Sequence, residues 1–111
     1  MKIKMIIDDA QQKYAARIVS FDQKKLKKDK ALYYRLYRHE FKSISVLFLK
    51  NGDEIAVDEG VFRGVRLYAT AIILTSLQNH YDDEKIGFIV NYYGKNRCVF
   101  LSWEQIILVK R

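Results

Sequence analysis

QKKLKKDKALYYRLYRHEFK, residues 23–42, has the clearest helical periodicity in the chain. At about 100° per residue, its apolar side chains fall on one arc and its cations on the opposite arc. The apolar arc contains Leu26, Leu32, Tyr33, Leu36, Tyr37 and Phe41. The pattern predicts one main amphipathic basic helix over about residues 29–42, with Asp29 as its N-cap and residues 24–28 as a basic loop before it. The alternative is a longer helix that begins at a capping box of Ser20 and Gln23.

The segments around this helix are strand-like and are separated by turn sequences. The run ISVLFL and the run EIAV flank NGD at residues 51–53, which predicts a hairpin. A second hairpin is predicted where IGFIVNYY and RCVFLSW flank GKN at residues 94–96. Further strands are predicted at residues 2–7 and within residues 104–111, and the polar run at residues 79–84 predicts a turn.

Two segments, residues 9–20 and residues 65–78, fit either a helix or a strand. Residues 14–21 favour a hairpin with the first strand, and a helix capped by Asp8 or Asp9 is the alternative. Residues 65–77, VRLYATAIILTSL, alternate as a strand and are rich in β-branched side chains. The chain as a whole, residues 1–111, predicts a single α+β domain: a curled or barrel-like antiparallel sheet of about five to seven strands with the main helix against it.

Composition narrows the class of protein. Cys98 is the one cysteine among 111 residues, which excludes an intrachain disulfide and a cysteine-built zinc site. Charged residues interrupt the N-terminal apolar run before it reaches the length of a signal-peptide core, and no apolar run approaches the ~18 residues that cross a bilayer. We therefore expect a cytoplasmic protein. Abundant Lys, Ile, Tyr and Asn indicate an AT-rich coding source, such as a low-GC bacterium, its phage or another mobile element.

No catalytic constellation stands out in the sequence. His39 and His80 lack the spacing of metal ligands, and Cys98 lies in an apolar strand, which is typical of a buried small side chain. The acidic run DDEK at residues 82–85 has the residue types of a metal-dependent nuclease, but solvated turn acids explain it better. We expect no catalytic residue, no metal ligand and no cofactor, and a nuclease is the least favoured reading.

The positive charge is concentrated in one segment. Residues 23–42 contain eight cations and two acids, whereas the other 91 residues contain twelve cations and eleven acids. Such a patch is typical of a protein that binds phosphate backbones, although a helix on a sheet also needs a solvated face. The predicted contacts are Lys24, Lys27, Lys28, Arg35, Arg38 and Lys42, with Tyr34 at the border of the basic arc for stacking.

A second candidate surface is the turn NYYGKNR, residues 91–97. Strand alternation predicts that Tyr92 and Tyr93 point to opposite faces, so at least one is exposed beside Lys95 and Arg97. Aromatic side chains next to cations at a hairpin tip suit nucleic acid or a protein partner. Tyr93, Lys95 and Arg97 are therefore added to the predicted binding residues.

Two functions follow from these observations. The first is a small non-enzymatic binding protein of phage or mobile-element type that engages nucleic acid through the basic helix. The alternative is a protein-directed inhibitor of anti-CRISPR type, which binds a bacterial nuclease or its guide-RNA complex. Neither the identity of the partner nor the oligomeric state is encoded in a recognisable motif.

Overall fold

The computed structural model describes residues 18–77 and 84–111. These residues form one antiparallel sheet of seven strands and two short helices, which confirms the α+β class. The strands are β1 (Val19–Ser20), β2 (Lys42–Ser45), β3 (Glu54–Phe62), β4 (Val65–Leu77), β5 (Lys85–Tyr92), β6 (Lys95–Ser102) and β7 (Ile106–Lys110). The helices are α1 (Gln23–Lys28) and α2 (Lys30–Arg38). The strand predicted at residues 2–7, its hairpin turn, His80 and most of the polar run at residues 79–84 lie outside the described residues.

The sheet is open. Its strand order is β2-β7-β3-β4-β5-β6, and β1 pairs with β3 beyond the end of the β3–β7 pairing. Every pairing among these strands is antiparallel. Because β2 and β6 end the order without pairing with each other, the barrel-like form of the prediction is wrong. Residues 65–77, left between helix and strand by the sequence, form the longest strand.

The hairpin predicted across NGD is wrong. β2 ends at Ser45, whose hydroxyl accepts a hydrogen bond from the Leu47 amide at 3.3 Å, and Val46–Phe48 turns as a 3₁₀ helix. This local side-chain bond competes with a strand ladder, so the apolar run does not continue as a strand. β2 pairs with β7 instead of β3. The turn itself contacts β4, since the Gly52 amide donates to the Ile73 carbonyl at 2.7 Å.

Two other turns close tight hairpins. Arg63 and Gly64 join β3 to β4, and Tyr93 and Gly94 join β5 to β6. All four residues have positive φ, between 51° and 78°, as a two-residue type I′ loop requires. The second predicted hairpin is therefore confirmed, but its turn lies at Tyr93 and Gly94, one residue before the predicted GKN. The predicted terminal strand is confirmed as β7.

The predicted main helix is two short helices. Residues 24–28 belong to α1, in which the Asp22 carboxylate accepts from the Lys25 amide at 2.8 Å. Asp22 is thus the cap of α1, and both the basic loop and the long helix that begins at Ser20 are wrong. The chain bends at Asp29, whose backbone φ of −120° and ψ of 84° are not helical.

The N-cap prediction for α2 is confirmed, but its predicted end is wrong. The Asp29 carboxylate accepts from the Leu32 amide at 3.1 Å. The helix ends at Arg38 rather than residue 42, since Glu40 takes a left-handed φ of 66°, a common way to end a helix. Lys42 therefore begins β2 and is not helical.

The core occupies both faces of the sheet. Along β3, Ile55 and Val57 belong to the larger cluster, whereas Ala56 between them belongs to the cluster under the helices. This is the two-residue alternation of a strand buried on both sides. The larger cluster contains side chains from β3, β4, β5, β6 and β7. The smaller cluster contains Phe21, Leu26, Leu32, Leu36, Phe41, Ala56 and Leu108. It fixes α1 and α2 on the sheet and leaves their other sides to solvent.

Candidate nucleic-acid interface

The exposed side of the two helices carries six side chains that we call the helical surface: Lys24, Lys27, Lys28, Lys30, Tyr34 and Arg38. All six side chains are exposed. Its five cations form no ion pair within the part of the chain that the structure describes. A cation without an acidic neighbour keeps its charge available for an anionic partner.

On α2 the helical surface is a stripe along one face of the helix. Lys30, Tyr34 and Arg38 follow each other at intervals of four residues, which places them one above the other, about 6 Å apart along the axis. The buried side of α2 is centred between Leu32 and Leu36, and Tyr34 lies about 180° from that centre. The Tyr34 side chain is 69% exposed. An aromatic ring is thus presented to solvent between two cations.

Two acids close in sequence to these cations are occupied within the fold, whereas Glu40, two residues after Arg38, is exposed. Asp22 and Asp29 accept helix-capping hydrogen bonds from main-chain amides. Asp29 also lies 3.9 Å from the Arg66 guanidinium. The carboxylates therefore stabilise helix ends and do not offset the exposed lysines through direct pairing.

Arg35, predicted on the basic arc, lies at the contact between α2 and the sheet. Its Nη2 donates to the main-chain carbonyl of Arg66 at 3.2 Å, and its guanidinium is 5.5 Å from the centre of the Tyr68 ring. The prediction of an exposed Arg35 is wrong because Leu26 and Phe41 do not belong to the same helix as Leu32 and Leu36. Only Leu32 and Leu36 are buried in α2, and the centre between them is about 80° from Arg35.

Lys42 and the second candidate surface do not belong to α1 or α2. Lys42 is exposed on β2, at one end of the strand order, where a lysine protects a sheet edge. Tyr93 lies in the β5–β6 turn and is 70% exposed, Lys95 is exposed next to it, and Arg97 is half-buried on β6.

The prediction that Tyr92 and Tyr93 point to opposite faces is wrong. Tyr93 is a turn residue with φ of 52°, and the two ring centres are 4.6 Å apart. Both hydroxyls donate to Glu59, at 2.9 Å from Tyr92 and 2.5 Å from Tyr93. The hydrogen bond to this carboxylate, then desolvation and the negative charge, raise the pKa of the Tyr93 hydroxyl. The rings are held against β3 as a pair.

Glu59 and Asp58 lie at a β-bulge of β3. The pairing register with β4 shifts between Asp58 and Gly60, and the Gly60 amide donates to the Asp58 carboxylate at 2.8 Å. Asp58 also accepts from the Arg66 guanidinium at 2.8 Å and lies 4.0 Å from the Lys25 amine. The bulge therefore directs two consecutive carboxylates to different partners, the first to cations near the helices and the second to the tyrosine pair.

A groove of about 760 Å³ lies between the helices and the β3–β4 hairpin. Its cations are Lys25, Lys28, Lys30 and Arg66, and its acids are Asp29 and Asp58. The side chains of Ala31 and Val61 form the apolar part of its wall. Lys28 and Lys30 belong to both the groove and the helical surface, so the two are continuous.

Three contributors were missed as site residues by the sequence analysis: Lys30, Lys25 and Glu59. The four-residue spacing from Lys30 to Tyr34 and Arg38 was a sufficient signal for Lys30. Lys25 and Glu59 could not be found, because their roles depend on the bulge in β3 and on the position of the β5–β6 turn.

The remaining titratable groups offer little chemistry. Cys98 is buried, and desolvation raises the pKa of its thiol. His39 is exposed at the C-terminal end of α2. Asp53 is buried and pairs with Arg111 at 3.1 Å. Within residues 18–77 and 84–111, no three His, Cys, Asp or Glu side chains are grouped to hold a metal ion.

No helix in the described part of the chain is both long and apolar enough to span a membrane. No protein-family model matches the chain, and no curated protein or solved structure is significantly similar to it.

Proposed function

We propose that this protein is a small non-enzymatic nucleic-acid-binding protein of phage or mobile-element type. The observation that carries the proposal is the helical surface, in which five exposed cations without ionic partners among the described residues surround one exposed tyrosine. Cations supply affinity for phosphates, and an exposed ring adds stacking on a base. The expected affinity is mostly independent of sequence, because the contacts are to the backbone.

The role of each predicted residue differs within this proposal. Lys24, Lys27 and Lys28 on α1 and Lys30 and Arg38 on α2 bind phosphates. Arg35 supports α2 from beneath and takes no direct part. Lys42, Lys95 and Arg97 add positive charge outside the helical surface. The free thiol of Cys98 fits the reducing cytoplasm, where we place the protein.

The test is charge reversal on α2 with a matched control. Lys30→Glu with Arg38→Glu changes two exposed cations of the helical surface, and Lys50→Glu with Lys110→Glu changes two exposed cations elsewhere, with the same change in net charge. Fluorescence anisotropy with labelled DNA and RNA, at low and near-physiological salt, should show a loss of at least tenfold for the first pair only. Equal losses for both pairs would reduce the interaction to overall charge and contradict the proposal.

A second candidate function is a protein-directed inhibitor of anti-CRISPR type that binds a nuclease or its guide-RNA complex. The observation that favours it is the tip of the β3–β4 hairpin, where Val61, Phe62 and Val65 are each more than half exposed. Exposed apolar side chains beside cations are typical of protein interfaces. Val61 and Lys28 both line the groove, so a nuclease with bound RNA would contact an apolar side chain and a cation on the same surface. Phe62→Ser should then abolish inhibition of such a nuclease and leave binding of free nucleic acid unchanged.

A further inference from the structure

The stripe on α2 has the form of a stacking platform. Tyr34 makes no ring contact with another described aromatic residue, whereas Tyr33 and Tyr37 lie 4.5 Å apart, and Tyr92 and Tyr93 form the second pair. The exposed part of the Tyr34 ring therefore remains available for a ligand. The cations one turn before and one turn after it, Lys30 and Arg38, are about 12 Å apart along the helix axis, which spans about three to four steps of a stacked strand.

A platform of this kind selects unpaired bases. In a duplex each base is already stacked on both sides, so a protruding side chain meets phosphates and sugars rather than the flat face of a base. In a single strand the bases are free to turn toward a protein ring. The position of Tyr34, on the outermost line of α2 and level with the cations, suits the second situation.

The groove extends the same path. Lys30 lies at the end of the stripe and also lines the groove, so a strand that crosses Arg38, Tyr34 and Lys30 in turn reaches the groove next. Its walls offer cations for a phosphate, the carboxylates of Asp29 and Asp58 as acceptors, and the apolar surfaces of Ala31 and Val61.

We propose that the nucleic acid bound by the helical surface is single-stranded, with one base stacked on Tyr34 and the adjoining nucleotide in the groove between α2 and the β3–β4 hairpin. This inference rests on the proposed function. It adds that the ligand is single-stranded and that it runs along α2 into the groove. It also assigns Tyr34 a role in binding a base, which charge alone would not indicate.

The experiment compares three substitutions of one residue. Tyr34→Phe keeps the ring, Tyr34→Leu keeps apolar volume without a flat ring face, and Tyr34→Ala removes both. Twelve-nucleotide poly-dT and poly-U, and a duplex of equal length, are titrated by anisotropy at two salt concentrations. On the single strands, the Phe variant should bind within about twofold of the parent, and the Leu and Ala variants should lose roughly tenfold. On the duplex, all three should bind as the parent does.

A second variant tests the groove. Ala31 is exposed on α2 and lines the groove, so Ala31→Glu places a negative charge in the groove wall. Glutamate has a high helix propensity, so the substitution is compatible with α2. Single-strand binding should fall at least fivefold. Circular dichroism should show an unchanged fold, since the side chain is exposed.

The possible results separate the inference from the function beneath it. Duplex binding as tight as single-strand binding, with a Leu variant equal to the parent, would overturn the single-strand path and leave the proposed function standing. Competition by poly-glutamate as effective as by poly-U would reduce the interaction to overall charge and would overturn both the stacking and the proposed function. Absence of binding to every nucleic acid at low salt would overturn the proposed function itself.

Discussion

Arg35 in α2 donates a hydrogen bond to the main-chain carbonyl of Arg66 in β4, over 3.2 Å. The same guanidinium lies against the Tyr68 ring, at 5.5 Å from its centre. A side chain that the sequence places on the basic arc therefore joins the helix to the sheet. Arginine suits this place because its planar group can stack on a ring while it donates hydrogen bonds.

We predict that Arg35→Ala destabilises the fold and that Arg38→Ala does not. The loss of the hydrogen bond, the contact with Tyr68 and the buried stem should reduce the free energy of unfolding by about 1–2 kcal/mol. Arg38 is exposed, and its removal should change that free energy by less than about 0.5 kcal/mol. Urea denaturation followed by circular dichroism measures both. Equal effects would contradict the assignment of Arg35 to the helix–sheet contact.

A second prediction concerns the bend between the helices. The Asp29 carboxylate caps α2 through the Leu32 amide, and the Asp29 amide donates to the Leu26 carbonyl of α1. Asp29→Ala should lower the free energy of unfolding by about 1 kcal/mol, whereas Asp29→Asn should retain most of it, since asparagine caps helices as well as aspartate. Equal losses of unfolding free energy for both variants, measured by thermal unfolding, would show that the negative charge of Asp29 near Arg66, and not its capping hydrogen bond, stabilises this bend.

The bulge carboxylate Asp58 should be among the more sensitive polar positions. It accepts from the Gly60 amide and from Arg66, both at 2.8 Å, and its side chain is only 9% exposed. Asp58→Ala leaves a half-buried guanidinium without this partner and should reduce the free energy of unfolding by about 2–3 kcal/mol. Glu104→Ala is a control at an exposed acid. A small effect in urea denaturation would mean that Arg66 is stabilised well enough by Asp29 alone.

The tyrosine pair gives a prediction for pH. The hydrogen bond to Glu59 raises the pKa of Tyr93 above its ordinary value of 10.0, so the folded state favours the neutral phenol. The stabilisation is therefore complete below about pH 10 and is lost as the pH rises through the raised pKa. Glu59→Gln should lower the pKa of Tyr93 toward its ordinary value. Titration of tyrosine ring carbons by NMR, with Tyr93→Phe to assign the signal, measures this. An unchanged pKa would show that Glu59 does not bind this hydroxyl in solution.

Local signals in the sequence were sufficient for several parts of the fold. The two-fold alternation of β4, the glycine in the β5–β6 turn and the cap at Asp29 each depend on neighbours along the chain. The partner of β2 could not be predicted, because pairing with β7 joins segments more than 60 residues apart. The hydrogen bond to the Ser45 hydroxyl, at which β2 ends, could not be predicted either, because a serine can form several different local hydrogen bonds with the main chain.

The candidate site, like the fold, could be predicted only in part from the sequence. The basic composition of residues 23–42 and the exposure of Tyr34 were visible in the sequence. The orientation of α2 was not, since it depends on where the helix ends, and one unrecognised left-handed residue at Glu40 removed Phe41 from the helical face. The sequence analysis therefore placed Arg35 on the basic arc, although it lies at the helix–sheet contact, and did not select the exposed Lys30.

The salt dependence of binding gives the most direct count of contacts on the helical surface. Each phosphate contact to a single strand adds about 0.7 to the slope of log affinity against log salt concentration. Lys30→Gln and Arg38→Gln should each reduce that slope by about 0.7, and together by about 1.4, because the two side chains lie two turns apart and bind different phosphates. Lys50→Gln should leave it unchanged. Tyr34→Leu should lower the affinity at every salt concentration by the same factor and leave the slope as it is, since stacking releases no counterions. A reduced slope for Tyr34→Leu would mean that the ring acts by positioning the neighbouring cations rather than by holding a base.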